Sequence, residues 1–242
     1  MQNASDAFAA PPPDVLGILG GMGPAATADF LSKLTKVTAV ECDQDHLASV
    51  VCCFPDIPDR TEAILSNGPS PLPFMLRSLA LLKRSGANRV VIPCNTAHHW
   101  FDELQRETDV PIIHIVDAVQ HALAARGVQD CVGLLATSAT VRSGIYTRRL
   151  EQYGTHCILP REDEQACVMN VIRAIKAGRG HDRMVSQSIC SVVGALVGRG
   201  ARTVILACTE LPLVMQSDDQ ILLDSTEALA CECLRTSRNQ LR

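Results

Sequence analysis

Two stretches of this 242-residue chain repeat each other. LGILGGMGPAAT, from Leu16, is matched by VGLLATSATVRS, from Val132; RVVIPCNTA, from Arg89, is matched by TVILACTEL, from Thr203. The interval from Gly17 to Cys94 and the interval from Gly133 to Cys208 differ by only two positions. A long internal repeat with matched apolar runs implies two similar domains facing each other, related by pseudo-two-fold symmetry.

The same runs set the fold class. VLGILG (from Val15), ASVVCCF (Ala48), RVVIPCN (Arg89), IIHIV (Ile112), CVGLLAT (Cys131), HCILP (His156), TVILACT (Thr203) and ILLDS (Ile221) are mostly apolar throughout. Strands buried on both faces of a parallel sheet have that pattern. Between them lie helical segments such as PFMLRSLALLKRSG and SATVRSGIYTRRLEQYG, each closed by a glycine. Strand and helix in alternation predict an α/β protein with mainly parallel sheets. The expected lobes are residues 1–117, carrying Cys94 and joined by a C-terminal helix over 224–242, and residues 118–223, carrying Cys208.

Composition removes several functions. Apolar residues are 47% of the chain and charged residues 20%, enough for a sizeable core. A formal charge of −4 and few aromatic residues give no surface for nucleic acid. No apolar run reaches the length that spans a membrane. The start, MQNASDAFAAPPPD, lacks the basic residues of a secretory signal and reads as a short leader. Eleven cysteines, an odd number in a long chain, suit reduced thiols in the cytoplasm rather than a disulfide scaffold. Without C-x-x-C or a matching histidine set, no metal is expected. GGMGP does not fit the dinucleotide fingerprint either, so the glycine turn, with Thr27, suits a small carboxylate instead.

Cys94 and Cys208 carry the chemistry. Each closes a strand, where ligands gather in open α/β sheets. Each is followed by small hydrogen-bonding residues, Asn95 and Thr96 or Thr209 and Glu210. A helix starting there is expected to lower the thiol pKa and to bind an anion. Two equivalent thiols suit inversion of a stereocentre, which needs a base on one face of a carbon and an acid on the other. A single cysteine would instead suggest a nucleophile with His98 or His99 as base. Arg60, in a Pro- and Asp-rich loop, fits a ligand clamp, with Asp56 and Asp59 as possible ion-pair partners. Lys176 ends an amphipathic helix before Gly178. Cys52 and Cys53 fall in a strand, where packing accounts for them.

These motifs resemble the aspartate/glutamate racemase family, in particular its aspartate racemase branch. The resemblance rests on GGMGPAAT (from Gly20), DQDHL (Asp43), PDIPDRT (Pro55), PCNTAH (Pro93), GLLATSATVRSGIY (Gly133), IKAGR (Ile175) and ACTELPL (Ala207). It implies a cofactor-independent racemase, usually a homodimer, with Cys94 and Cys208 as opposed catalytic bases. It also implies substrate contacts at Met22, Thr27, Asn95, Thr96, Thr137, Thr140, Thr209 and Glu210, and a grip on the side-chain carboxylate by Arg60 and Lys176. Glu210 replaces the histidine usual in glutamate racemases, which favours aspartate. Glutamate, or both acids, stays open as substrate. A catalytically silent amino-acid-binding module is the reading from another class, and two opposed thiols argue against it.

Overall fold

The computed structural model describes residues 14–128, 130–180, 182–215 and 221–240. The leader with Pro11, Pro12 and Pro13 falls outside them. In chain order β1 (Val15–Gly20) leads to α1 (Pro24–Thr38), and β2 (Ala48–Cys53) to α2 (Arg60–Leu65) and α3 (Leu72–Arg84). Next come β3 (Arg89–Val91), α4 (Phe101–Arg106), β4 (Ile112–Ile113) and α5 (Ile115–Ala125). The second half runs β5 (Cys131–Ala136), α6 (Ser138–Ser143), α7 (Ile145–Glu151), β6 (His156–Ile158), α8 (Glu162–Lys176) and α9 (Arg183–Gly198). It closes with β7 (Thr203–Ala207), β8 (Leu222–Asp224) and α10 (Ser225–Gln240).

Two four-stranded parallel sheets result, ordered β2-β1-β3-β4 and β6-β5-β7-β8. The second order is the first shifted by four strands, so the repeat in sequence is a repeat in topology. All eight expected strands are present. The expected boundaries at 117 and 223 fall in the first turn of α5 and inside β8.

The apolar runs are continuous because each central strand buries both faces. Leu16, Ile18 and Val91 of the first sheet share a core with Val132, Leu134, Ile205 and Ala207 of the second. Their alternating neighbours Leu19, Val90 and Ile92 face a separate cluster under α3, and Leu135, Val204 and Leu206 face one under α8 and α9. The two sheets therefore turn one face toward each other across a common core. The edge strand β2 departs from this pattern: its residues alternate half-buried and exposed. Cys52 packs against the first-half core but Cys53 is exposed, so packing accounts for only one of that pair.

SATVRSGIYTRRLEQYG is not one helix. Gly144 adopts the left-handed region at φ +67° and separates α6 from α7. The break turns α7 so that Tyr146 and Leu150 reach the shared core.

Candidate active site

The loop after β1 turns through Gly20 and Gly21. Gly21 sits at φ +93°, and a Cβ there would lie 2.4 Å from the backbone of Phe54. No other residue fits so close an approach. Thr27 locks this turn: its hydroxyl accepts from the Gly21 amide at 3.0 Å and donates to the Gly23 carbonyl at 3.1 Å. Pro24 opens α1 at its first position.

Arg60 is buried and holds the neighbouring loops. Its Nη1 donates to the carbonyls of Ile57 and Pro58, and its Nη2 to that of Met22, each at 3.1 Å. Nε and the second Nη2 proton have no acceptor among the described residues. Nε lies on an edge by which a guanidinium can take a carboxylate. Asp59, which neighbours Arg60 in sequence, caps α2 by accepting from the amides of Thr61 and Glu62, and faces Lys176 at 3.8 Å. Burial works against the Asp59 carboxylate, but the Glu62 amide, Lys176, Arg60 and the Thr61 amide outweigh it and hold its pKa low.

Cys94 and Cys208 each follow a strand, as expected, but neither opens an α-helix. A 3-10 turn follows each, over Thr96–Trp100 and Leu211–Leu213. After Cys94 the turn runs straight into α4, whereas after Cys208 it is a short isolated turn, and the expected lowering fails at Cys208. Burial pushes its thiol well above the usual value, and the Glu210 carboxylate adds to the rise. The Glu210 amide and Lys176 oppose it without cancelling it. Cys208 Sγ donates to Glu210 Oε2 at 3.3 Å.

His98 is not a base for Cys94. Its Nδ1 contacts the Cys94 carbonyl at 3.0 Å, and its Nε2 accepts from the Ile115 amide at 3.2 Å. These contacts place the proton on Nδ1, and full burial lowers the pKa to about 4. The ring is neutral near pH 7 and fixes the turn that carries Cys94. His99 is exposed and edges against Trp100.

Two polar networks tie this turn to the second half. Asn95 Nδ2 donates to Ser225 Oγ at 3.1 Å, and the Tyr146 hydroxyl donates to Asn95 Oδ1 at 2.6 Å. The hydroxyls of Thr96, Thr137 and Thr140 form a triangle with sides of 2.9–3.0 Å. α2 also packs against α6 beside them.

Met22, Arg60, Cys94, Asn95, Thr96, Thr137, Lys176, Cys208, Thr209 and Glu210 line one cavity. Its volume is about 20 Å³, near that of a single water. Thr27 and Thr140 do not line it; their hydroxyls hold the glycine turn and the threonine triangle. Asp59 and Thr61, which the sequence did not single out for the site, do line it. The signal that could have placed Asp59 at a helix start is the Glu three residues later in Asp59-Arg60-Thr61-Glu62; nothing local marks its reach to Lys176. Asp59, Arg60, Lys176 and Glu210 also border an adjoining, more open cavity of about 380 Å³. These four residues are the wall between the two. Among the described residues, no group of three or more His, Cys, Asp or Glu could hold a metal ion. None of the described helices is long and apolar enough to cross a membrane.

The chain matches the Asp/Glu/hydantoin racemase family model over residues 19–233. It is 27% identical over 231 residues to the broad specificity amino-acid racemase RacX of Bacillus subtilis, covering 92% of this chain and 97% of that one. Among solved structures, the aspartate racemase of Picrophilus torridus superposes with a TM-score of 0.81 at 34% identity, over 92% of this chain and 94% of that one. The glutamate racemase of Francisella tularensis superposes with a TM-score of 0.68 over 94% of this chain and 82% of that one. At 16% identity it shows the fold alone.

Proposed function

The chain belongs to the Asp/Glu/hydantoin racemase family, and we propose that it racemises an acidic amino acid, aspartate foremost, through Cys94 and Cys208 and without pyridoxal phosphate. The observation that carries this reading is one cavity lined by a cysteine from each repeat together with Arg60 and Lys176. One cysteine, as thiolate, removes the Cα proton. The other, as thiol, delivers a proton to the opposite face of the planar carbanion. The remaining Asn95 N–H offers a neutral donor to the α-carboxylate. The hydroxyl protons of Thr96 and Thr137 are spent within the threonine triangle and that of Thr209 on Glu210, so these side chains shape the pocket. The open edge of Arg60, with Lys176, takes the side-chain carboxylate, whose lost hydration demands a cationic partner.

The lobes we assign are residues 1–117 with 224–242, and residues 118–223. A cavity of about 20 Å³ is too small for an amino acid, so the lobes part to admit substrate and close over it. The eleven cysteines are all unpaired, which suits a reducing cytoplasm, and the family resemblance favours a homodimer. The likeness to a broad specificity racemase supports a second reading, in which neutral amino acids are also turned over.

Circular dichroism of L-aspartate in D2O tests the proposal. Optical activity should decay while deuterium enters Cα, and Cys94→Ser and Cys208→Ser should each slow the decay by orders of magnitude. Near-normal turnover in either variant would remove the two-cysteine mechanism. A panel of L-amino acids decides between an acidic and a broad preference.

A further inference from the structure

The two cysteines keep unlike company. Cys208 Sγ donates to Glu210 Oε2, and the Thr209 hydroxyl donates to the same oxygen at 3.4 Å. Glu210 is only 5% exposed. At the matching position after Cys94 stands Thr96, whose hydroxyl belongs to the threonine triangle. Among the described residues no carboxylate hydrogen-bonds to Cys94.

Building on the two-cysteine reading, we propose that Glu210 is the positioning residue of Cys208, not a substrate contact: it keeps Cys208 a thiol in the resting enzyme and returns a proton to it after turnover. Cys94 is then the resting acceptor, and the enantiomer whose Cα–H faces Cys94 is taken first. In that turnover Cys94 thiolate gains the Cα proton, while the Cys208 S–H bond breaks as a new Cα–H bond forms. The products are a Cys94 thiol and a Cys208 thiolate. The latter stands beside the Glu210 carboxylate, two like charges in contact in a buried place. Glu210 borders both the closed cavity and the more open one. The cycle closes when water protonates Glu210, Glu210 passes that proton to Cys208, and Cys94 releases its own to solvent.

The charged groups around Cys208 agree with this role. Glu210 on its own turn disfavours the thiolate; Lys176, at the end of α8, favours it. Asp59 and Arg60 from the first half line the same cavity.

Glu210→Gln keeps the shape and removes the charge. Each cysteine is followed by iodoacetamide alkylation across pH 6 to 11 with peptide mass spectrometry, on protein without substrate. In the parent, Cys94 should be alkylated ahead of Cys208. In Glu210→Gln the onset for Cys208 should move down by ~1 pH unit or more, the size expected on removing a like charge, while that of Cys94 stays. Glu210→Asp, which retains the charge, should keep the parental order. In progress curves, Glu210→Gln should slow at high substrate where the parent stays saturated, because the free enzyme resets slowly. An unchanged Cys208 onset, with a KM raised equally for both enantiomers, would make Glu210 a substrate contact and overturn the proposal. If the parent racemises no acidic amino acid, the functional reading fails, while the alkylation order still decides whether Glu210 holds the Cys208 proton.

Discussion

The Ile115 amide donates to His98 Nε2 at 3.2 Å, joining the first turn of α5 to the turn that carries Cys94. That bond needs a neutral ring, because a protonated imidazole has no acceptor.

Stability should therefore fall on the acid side. Burial lowers the His98 pKa from 6.5 to about 4, and burial with the nearby His98 and Arg149 drives His114 lower still. Below pH 6.5 the unfolded chain binds protons that the folded chain refuses, so stability present above 6.5 is lost as pH falls toward 4. Each histidine contributes a slope approaching ~1.4 kcal/mol per pH unit. Urea midpoints between pH 7.5 and 5 measure it. His98→Gln should lower the slope by one proton, and an unchanged slope would contradict a neutral buried His98.

Tyr146→Phe removes the hydroxyl that donates to Asn95 Oδ1. Tyr146 is fully buried, and burial raises its phenol pKa so that it remains a donor. The variant leaves a buried amide oxygen short of a partner, at ~1–3 kcal/mol. Denaturation should show that loss, and racemisation should drop because Asn95 adjoins Cys94. Parental stability would mean that another donor replaces the phenol.

Arg60→Ala and Lys176→Ala should separate two roles. Arg60→Ala should raise KM for aspartate by ~2–5 kcal/mol of lost binding to a desolvated charge. It should also lower Tm, because the Met22, Ile57 and Pro58 carbonyls lose their donor. Lys176→Ala should raise KM less, since an ammonium lacks the bidentate fork. It should barely move Tm, because its contact with Asp59 is 3.8 Å long and partly exposed. Unchanged aspartate kinetics in both would end the acidic-substrate assignment.

Arg89 anchors the C-terminal helix. It is 1% exposed and pairs with both oxygens of Asp14 at 2.8 Å. It also donates to the Cys233 carbonyl and the Thr236 hydroxyl of α10. Arg89→Ala strands a part-buried carboxylate and should cost ~3–5 kcal/mol, measured by urea denaturation. A loss under 1 kcal/mol would mean that α10 is held by its apolar face alone.

The sequence alone determined the eight strands, the repeated order and the two cysteines at strand ends. Burial on both faces writes an unbroken apolar run, and a local turn writes its glycines, so both can be read from neighbouring residues. It also pointed to ten of the residues that line the cavity. Only the tertiary structure decided what those side chains do. Thr27 looked like a ligand contact until the fold showed its hydroxyl closing the glycine turn. An α-helix was expected to open after each thiol, but a 3-10 turn follows instead, and burial beside Glu210 reversed the expected pKa direction at Cys208. The helix expected over SATVRSGIYTRRLEQYG broke at Gly144, which delivered Tyr146 to Asn95. Asp59 and Lys176 lie in different halves and meet only once the sheets face each other. Hydrogen bonding, desolvation and charge proximity depend on distances between segments remote in sequence, and no local pattern encodes those distances.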